Sequence, residues 1–251
     1  MLKVEGLSRM FGGVEALVGL DLQVHNGSVL GLIGPNGSGK TTLFNVLTGV
    51  YPADSGRIYL RGKDVTNLKP QQIIRHGVAR TFQNLRLYHR MTVFDNVWVA
   101  QHSLPDVGLR ELILARRNPE RVRREAVVAM LDVTGLADHA DQLAGGLPLP
   151  QQRRLELARA LIRSPDLLLL DEPAGGMTPA ETADMADLIR HIATPNRTCI
   201  VIEHKMELLS GLCQQMCVLN FGRKIAEGEP QQVLDHPDVL EAYLGRSQSR
   251  A

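Results

Sequence analysis

The run Gly34-Pro35-Asn36-Gly37-Ser38-Gly39-Lys40-Thr41 fits the pattern G-x-x-x-x-G-K-S/T. Glycines let a backbone curl until successive N–H groups point at one anion, and a helix starting there adds its positive end. The chemistry of such a pattern is phosphate binding: Lys40 reaches the β- and γ-phosphates of a nucleotide, and the Thr41 hydroxyl ligates Mg2+. A second acidic element follows the apolar run Leu167–Leu170, which ends in Asp171-Glu172-Pro173. Asp171 suits a water-mediated contact to Mg2+, and Glu172 beside it can orient or deprotonate an attacking water, which favours hydrolysis over transfer to an acceptor.

These residues need elements that hold them at one edge of a sheet. Val29–Ile33, Leu167–Leu170, Cys199–Ile202 and Cys217–Leu219 are continuous apolar runs that end in polar or glycine-rich turns. Unbroken apolarity marks strands covered on both faces, hence a parallel sheet between helices. Thr42–Gly49 directly after the cradle reads as helical, the context the phosphate pattern requires. In Gln151–Ser164, Leu155, Ala158, Leu161 and Ile162 line one helical face, with Arg153, Arg154 and Arg159 largely outside it. Arg57-Ile58-Tyr59-Leu60 followed by Arg61-Gly62-Lys63 reads as a short antiparallel hairpin. Strand signal disappears between about Leu85 and Pro150, where Arg121–Gly135 is predicted helical with Val122, Ala126, Ala129, Met130 and Val133 as its apolar side and Gly135 as its stop. The fold class is therefore α/β, with a helical insert in the core.

With 251 residues, 44% hydrophobic and 22% charged, the chain can bury a substantial core. Its formal net charge of +1 removes the basic excess expected of a nucleic-acid binder. No apolar run approaches the roughly 20 residues of a membrane span, and the start Met1-Leu2-Lys3-Val4-Glu5 lacks the features of a secretory signal. Cys199, Cys213 and Cys217 include no C-x-x-C pair, an odd count that suits a reducing compartment. Cys213 and Cys217 have helical spacing and read as a buried pair in preference to a metal site.

Taken together, these residues resemble the nucleotide-binding subunit of ABC transporters over essentially Leu2 to Gly245. The resemblance implies a P-loop NTPase with a RecA-like parallel core, an N-terminal antiparallel β subdomain and an α-helical insert. It divides the chain into a first core part at 1–84, an insert at 85–150 ending in the signature, a second core part at 151–245 and a tail at 246–251. Its ligands are ATP, held by Phe11 and by Gly34, Pro35, Asn36, Gly37, Ser38, Gly39, Lys40, Thr41 and Thr42, and Mg2+, held by Thr41, Gln83 and Asp171. Phe11 in Met10-Phe11-Gly12-Gly13 matches the aromatic that stacks on adenine. Gln83 in Arg80-Thr81-Phe82-Gln83-Asn84 matches the glutamine that reports the γ-phosphate to the permease. His204 in Val201-Ile202-Glu203-His204 matches the switch histidine that, with Glu172, serves hydrolysis, although a lone histidine at a strand end is more often structural. Within the family, Arg80–Asn84, Met91-Thr92-Val93, Asp95-Asn96-Val97, Ile202-Glu203-His204 and Ala242-Tyr243-Leu244-Gly245 resemble the branched-chain amino acid importer branch. Urea and amide importers and the lipopolysaccharide-export motor look similar. The implied partners are transmembrane permease subunits, a second ABC ATPase subunit and, through the permease, a solute-binding protein, with the chain peripheral on the cytoplasmic face of the inner membrane.

One stretch departs from the family. The signature, usually Leu-Ser-Gly-Gly-Gln, is here Leu147-Pro148-Leu149-Pro150-Gln151. Pro148 replaces a serine hydroxyl and Pro150 a glycine N–H that both touch the γ-phosphate held by the partner cassette, and proline has no N–H to give. At about 1.5–3 kcal/mol for each bond to a charged group, independent loss of both weakens the trans contact by roughly 3–6 kcal/mol. As a first helical residue Pro150 is comfortable, so the helix is expected to survive. Thr178 in Ala174-Gly175-Gly176-Met177-Thr178 also stands where many relatives carry Asp. An intact cis half with a damaged trans half points to a heterodimer in which a different ATPase supplies the working signature. A regulatory nucleotide-binding module without turnover, and a soluble ABC protein acting on ribosomes or DNA, are the competing readings. Arg116-Arg117 with Arg121, Arg123 and Arg124 form basic clusters in the insert, read as a solvated helix face.

Overall fold

The computed structural model describes residues 1–102 and 119–244, so Arg116-Arg117 and the tail at 246–251 lie outside the described residues. Leu2–Phe11 (β1) and Val14–Val24 (β2) pair antiparallel, and with Ser55–Leu60 (β4) and Lys63–Asp64 (β5) they build a sheet of order β2-β1-β4-β5. The hairpin read at Arg57–Lys63 is this β4–β5 pair, joined through Arg61 and Gly62 in left-handed conformation. Val29–Ile33 (β3), Val78–Arg80 (β6), Leu167–Asp171 (β7), Thr198–Ile202 (β8), Gln215–Asn220 (β9) and Arg223–Gly228 (β10) form a second sheet of order β10-β9-β3-β8-β7-β6. All its pairings are parallel except β9 with β10.

The apolar strands alternate between two cores. Leu167 and Leu169 join Leu30, Leu32, Ile200 and Ile202 on the face covered by the antiparallel sheet and by Lys40–Leu47 (α1). Leu168 and Leu170 join Ile33, Cys199 and Val201 on the other face, where Leu149–Leu161 (α5), Pro179–Leu188 (α6) and Met206–Leu212 (α7) pack. Cys213 and Cys217 are both buried as read, but not side by side: Cys217 sits on β9 in the first core and Cys213 in the second, so the sheet separates the thiols. Two short helices, Pro230–Leu234 (α8) and Pro237–Leu244 (α9), close the described chain.

Between β6 and β7 the described residues form helices joined by loops, with no strand beyond one isolated bridge, Thr92 to Leu143. Pro70–Arg75 (α2) precedes β6, and Val93–His102 (α3) and Pro119–Val133 (α4) pack with α5 around a third core of Val93, Val97, Val127, Leu131 and Leu155. The expected apolar side of α4 holds in part: Met130 packs against the second and third cores, but the stripe's ends do not. Val122 and Val133 are 55% and 50% exposed, whereas Val127 and Leu131 are buried. The helix carries two overlapping apolar stripes, and the positions of α3 and α5 decide which one is covered. Gly135, with φ of 68°, ends the helix as expected. Arg121 pairs with Glu125 at 2.8 Å on the exposed side, and Arg124 lies over the Phe94 ring.

A further correction concerns α5. Its leucines and alanines are buried as expected, but Arg153 is 8% exposed and Glu156 is buried beside it. The helix is covered on several sides, since it bridges the second and third cores, and Arg153, Glu156 and Arg159 meet the segment after β6 while Arg154 reaches Thr134 O. Pro148 is the N-cap and Pro150 the second helical residue, one place later than the sequence reading put it. The helix forms despite both prolines, because N–H groups in the first turn have no intrahelical acceptor.

Candidate functional site

The cradle runs from the end of β3 into α1. Gly34 has φ of 147°, and a Cβ there would lie 2.1 Å from Leu219 O, while one at Gly39 would lie 2.5 Å from Ala16 O. No other residue fits either place, because the backbones of β2 and β9 close on the loop. The Gly222 N–H donates to Ser38 O at 3.0 Å and the Val18 N–H to Gly222 O at 2.9 Å, which ties the loop to both sheets. Lys40 is buried and donates from Nζ to Gly34 O at 2.7 Å and Pro35 O at 3.0 Å. Burial pulls its ammonium below the ordinary lysine range, and the carboxylates of Glu172 and Asp171 oppose that shift.

At the parallel-sheet edge β7 delivers Asp171 and Glu172. Asp171 Oδ2 accepts from Arg80 Nη2 at 2.7 Å in a pair whose side chains are 1% and 5% exposed. Burial raises the Asp171 carboxyl above its usual range and lowers the Arg80 guanidinium, and their hydrogen bond and mutual charge oppose both shifts. Glu172 has φ of 48°, a strained left-handed conformation for a glutamate, and its N–H donates to Ile202 O at 2.9 Å. Its Oε1 lies 3.2 Å from Gln83 Nε2 and 3.3 Å from His204 Nε2. Gln83, Glu172 and His204, separated widely in sequence, thus meet at one oxygen beside Asp171.

Phe11 is not part of that set of contacts. It ends β1, meets Tyr51 edge-on with ring centroids 5.1 Å apart, and has the Arg9 guanidinium 4.7 Å from its centroid. Asn36, Gly37 and Thr41 are exposed along the cradle, whereas Pro35 and Ser38 are buried and Thr42 is partly so.

Several supporting residues were not legible in the motifs. Glu203 is buried, accepts the Ala174 N–H at 3.0 Å through Oε1 and the His204 N–H at 2.9 Å through Oε2. Lys205 Nζ donates to Ala174 O, Met177 O and Thr182 Oγ1, so both hold the turn after Glu172. Thr178 caps α6 with Glu181 in a reciprocal capping box, the role an aspartate there would also fill. Arg153 donates to Phe82 O at 3.2 Å and Gln83 O at 3.0 Å, and Glu156 accepts the Phe82 N–H at 3.0 Å. Tyr243 of α9 returns to the cradle: burial raises its phenol, and a hydrogen bond from the Gly34 backbone opposes the shift. A signal for Tyr243 existed in the Ala242–Gly245 run, but its contact depends on the fold.

A phosphate cradle, an adjacent pair of carboxylates after a buried strand and a helical insert between them define a P-loop ATPase of the cassette type. Residues 17–175 match the ABC transporter family, and the chain belongs to it: it is an ATP-binding, ATP-hydrolysing subunit of a transporter that works with separate permease subunits. Residues 223–248 match the model for branched-chain amino acid ATP-binding cassette transporters. The chain is 42% identical to the high-affinity branched-chain amino acid transport ATP-binding protein LivG of Escherichia coli K12, covering 98% of each chain. It is also 42% identical to BraF of Pseudomonas aeruginosa, again over 98% of both. The solved ADP conformation of an ATP-binding cassette from an ABC transporter superimposes with a TM-score of 0.85 at 33% identity, covering 98% of each chain. A nucleotide-free cassette gives the same TM-score at 32% identity over 97% of this chain and 98% of that one. Among the described residues no helix is long and apolar enough to cross a membrane.

Proposed function

We propose that this subunit drives import of branched-chain amino acids or related small polar solutes from the cytoplasmic face of the membrane, with a solute-binding protein delivering cargo to the permease. The named relatives and the match over 223–248 support that solute class. Residues 1–84 and 151–245 form the nucleotide-binding core of this reading, 85–150 the insert and 246–251 a tail. The observation that carries the hydrolytic assignment is the convergence of Gln83 and His204 on Glu172 Oε1, one residue from Asp171.

Mg2+ fits the donor set. Asp171 Oδ1 and Ser38 Oγ are buried without a hydrogen-bond partner, and hydroxyl, carboxamide and carboxylate oxygens are the ligands a hard cation takes. Thr41, Gln83 and Asp171 would hold the ion, which supplies charge neutralisation on the β- and γ-phosphate oxygens. Gly34 to Gly39 bind the phosphates through backbone N–H groups, Lys40 turns from the loop carbonyls to the phosphates, and Phe11 stacks on adenine beside Arg9. Glu172 accepts a proton from water as its oxygen attacks the γ-phosphorus and the bond to the bridging oxygen breaks. Gln83 and His204 keep the carboxylate aimed.

The permease docks in the cleft of about 230 Å3 between the core and the insert, whose walls include Ile73, Ile74, Phe82, Arg86, Arg159 and Arg163. Apolar walls with four arginines, Arg80 among them, fit a short segment that carries apolar side chains and an acidic one. In the nucleotide-bound dimer Pro148 and Pro150 contribute neither a hydroxyl nor an N–H at the start of α5, which favours a second, different ATPase subunit. The test is Mg-ATPase activity of the chain alone and with that subunit, with Glu172→Gln as blank. Activity that needs the partner and disappears in the blank is expected. Full activity alone overturns the heterodimer, and nucleotide binding without turnover in both cases overturns the motor.

A further inference from the structure

Asp171 is held by a residue outside the phosphate and carboxylate motifs. Arg80, the last residue of β6, donates through Nη2 to Asp171 Oδ2 at 2.7 Å. Through Nη1 it donates to Asn45 Oδ1 at 2.7 Å and to Thr48 Oγ1 at 3.4 Å, at the far end of the helix that opens at Lys40. Its guanidinium carbon lies 5.3 Å from the Phe44 ring centroid and 5.0 Å from that of Phe82, the residue before Gln83. It also forms part of the wall of the cleft between core and insert. One cation therefore touches the cradle helix, the carboxylate and the Gln83 segment.

Charge balance alone does not require this arrangement. A planar guanidinium with donors engaged on both arms orients a carboxylate as well as neutralising it. With Oδ2 engaged, Asp171 is left with Oδ1, which is buried and has no partner. We propose that Arg80 is a positioning residue for hydrolysis: it fixes the Asp171 carboxylate with Oδ1 left for the hydrated metal, and through Phe82 it ties that orientation to the Gln83 segment. The inference rests on the reading of Asp171 as a holder of Mg2+.

Two roles for Arg80 predict opposite signs. A cation that acts only through its charge repels a divalent metal, so its removal tightens metal binding. A partner that orients a metal-holding carboxylate loosens binding on removal, by about 10- to 100-fold. The experiment is a Mn2+ titration by electron paramagnetic resonance of the full chain with bound ADP, in the wild type and in Arg80→Gln, Asn45→Ala and Asp171→Asn. Arg80→Gln is expected to weaken Mn2+ binding about tenfold or more, with metal-free ADP affinity unchanged. Unchanged or tighter Mn2+ binding in a folded Arg80→Gln protein overturns the proposal. Should thermal unfolding show that this variant does not fold, Asn45→Ala decides: it keeps both charges, removes the anchor of the guanidinium, and is expected to weaken Mn2+ binding, with no change overturning the proposal. If Asp171→Asn leaves Mn2+ affinity unaltered, the metal reading of Asp171 fails, which is a different result from failure at Arg80.

Discussion

Glu172 is held by its backbone as much as by its side-chain partners. A glutamate at φ of 48° is unfavourable by itself and persists because the N–H is bound to Ile202 O and the following turn is held by Glu203 and Lys205. The carboxylate then sits within reach of both Gln83 and His204, the position from which the proposed mechanism has it accept the proton of water. Glu172→Gln keeps the shape and removes the charge. It is expected to lower ATP turnover by about 10^2- to 10^4-fold while nucleotide binding persists, as checked by single-turnover hydrolysis beside equilibrium binding. Comparable turnover in the variant would assign proton acceptance elsewhere.

Helix α5 and helix α4 each make a prediction at the scale of an element. At the start of α5, Pro150→Gly restores an N–H aimed along the helix axis. The added bond to an anion contributes about 1.5–3 kcal/mol, so ATP hydrolysis by the chain alone is expected to rise and to become cooperative in protein concentration. An unchanged rate would show that the prolines do not limit the trans contact. In α4 the covered stripe is Val127 and Leu131, with Leu131 at 2% exposure. Leu131→Ala is expected to cost about 2–5 kcal/mol of stability, and Val133→Ala to stay within about 0.5 kcal/mol, measured by denaturant unfolding. Equal losses would restore the stripe read from the sequence.

Across the whole molecule, the parallel sheet seals its thiols. Cys199, Cys213 and Cys217 are free and buried, and desolvation pushes each up to about 12 from 9.0. At pH 8 roughly one thiol in ten thousand is ionised under such a shift, so the native protein is expected to resist a disulfide reagent that labels it rapidly after unfolding. A raised folded value also fixes the sign of the pH dependence. The unfolded thiol ionises first, so the stability these groups contribute is complete below pH 9 and is lost as pH rises from there towards 12. The fall in Tm over that alkaline window is expected to be shallower in Cys213→Ala, and an unchanged slope would place the titration elsewhere.

The cradle, the carboxylates and the buried strands were legible in the sequence because each is a local fact: glycines where backbones close, a lysine and hydroxyl next to them, and unbroken apolar runs that can only be covered on two faces. Even the helix at Pro148–Pro150 followed from the proline's tolerated place in a first turn. What required the tertiary structure is everything settled by which elements pack together. Local periodicity read one apolar side of α4, and the positions of α3 and α5 covered Val127 and Leu131 instead of Val122 and Val133. Spacing made Cys213 and Cys217 look like neighbours, and the sheet put them on opposite faces. Arg153 read only as lying outside the apolar stripe until the Phe82–Gln83 backbone covered it, and Arg80 had no assigned partner until β6 lay beside β7 and brought it to Asp171. A buried charge is affordable only where an opposite charge or a carbonyl arrives from far along the chain, and that arrival is a property of the fold.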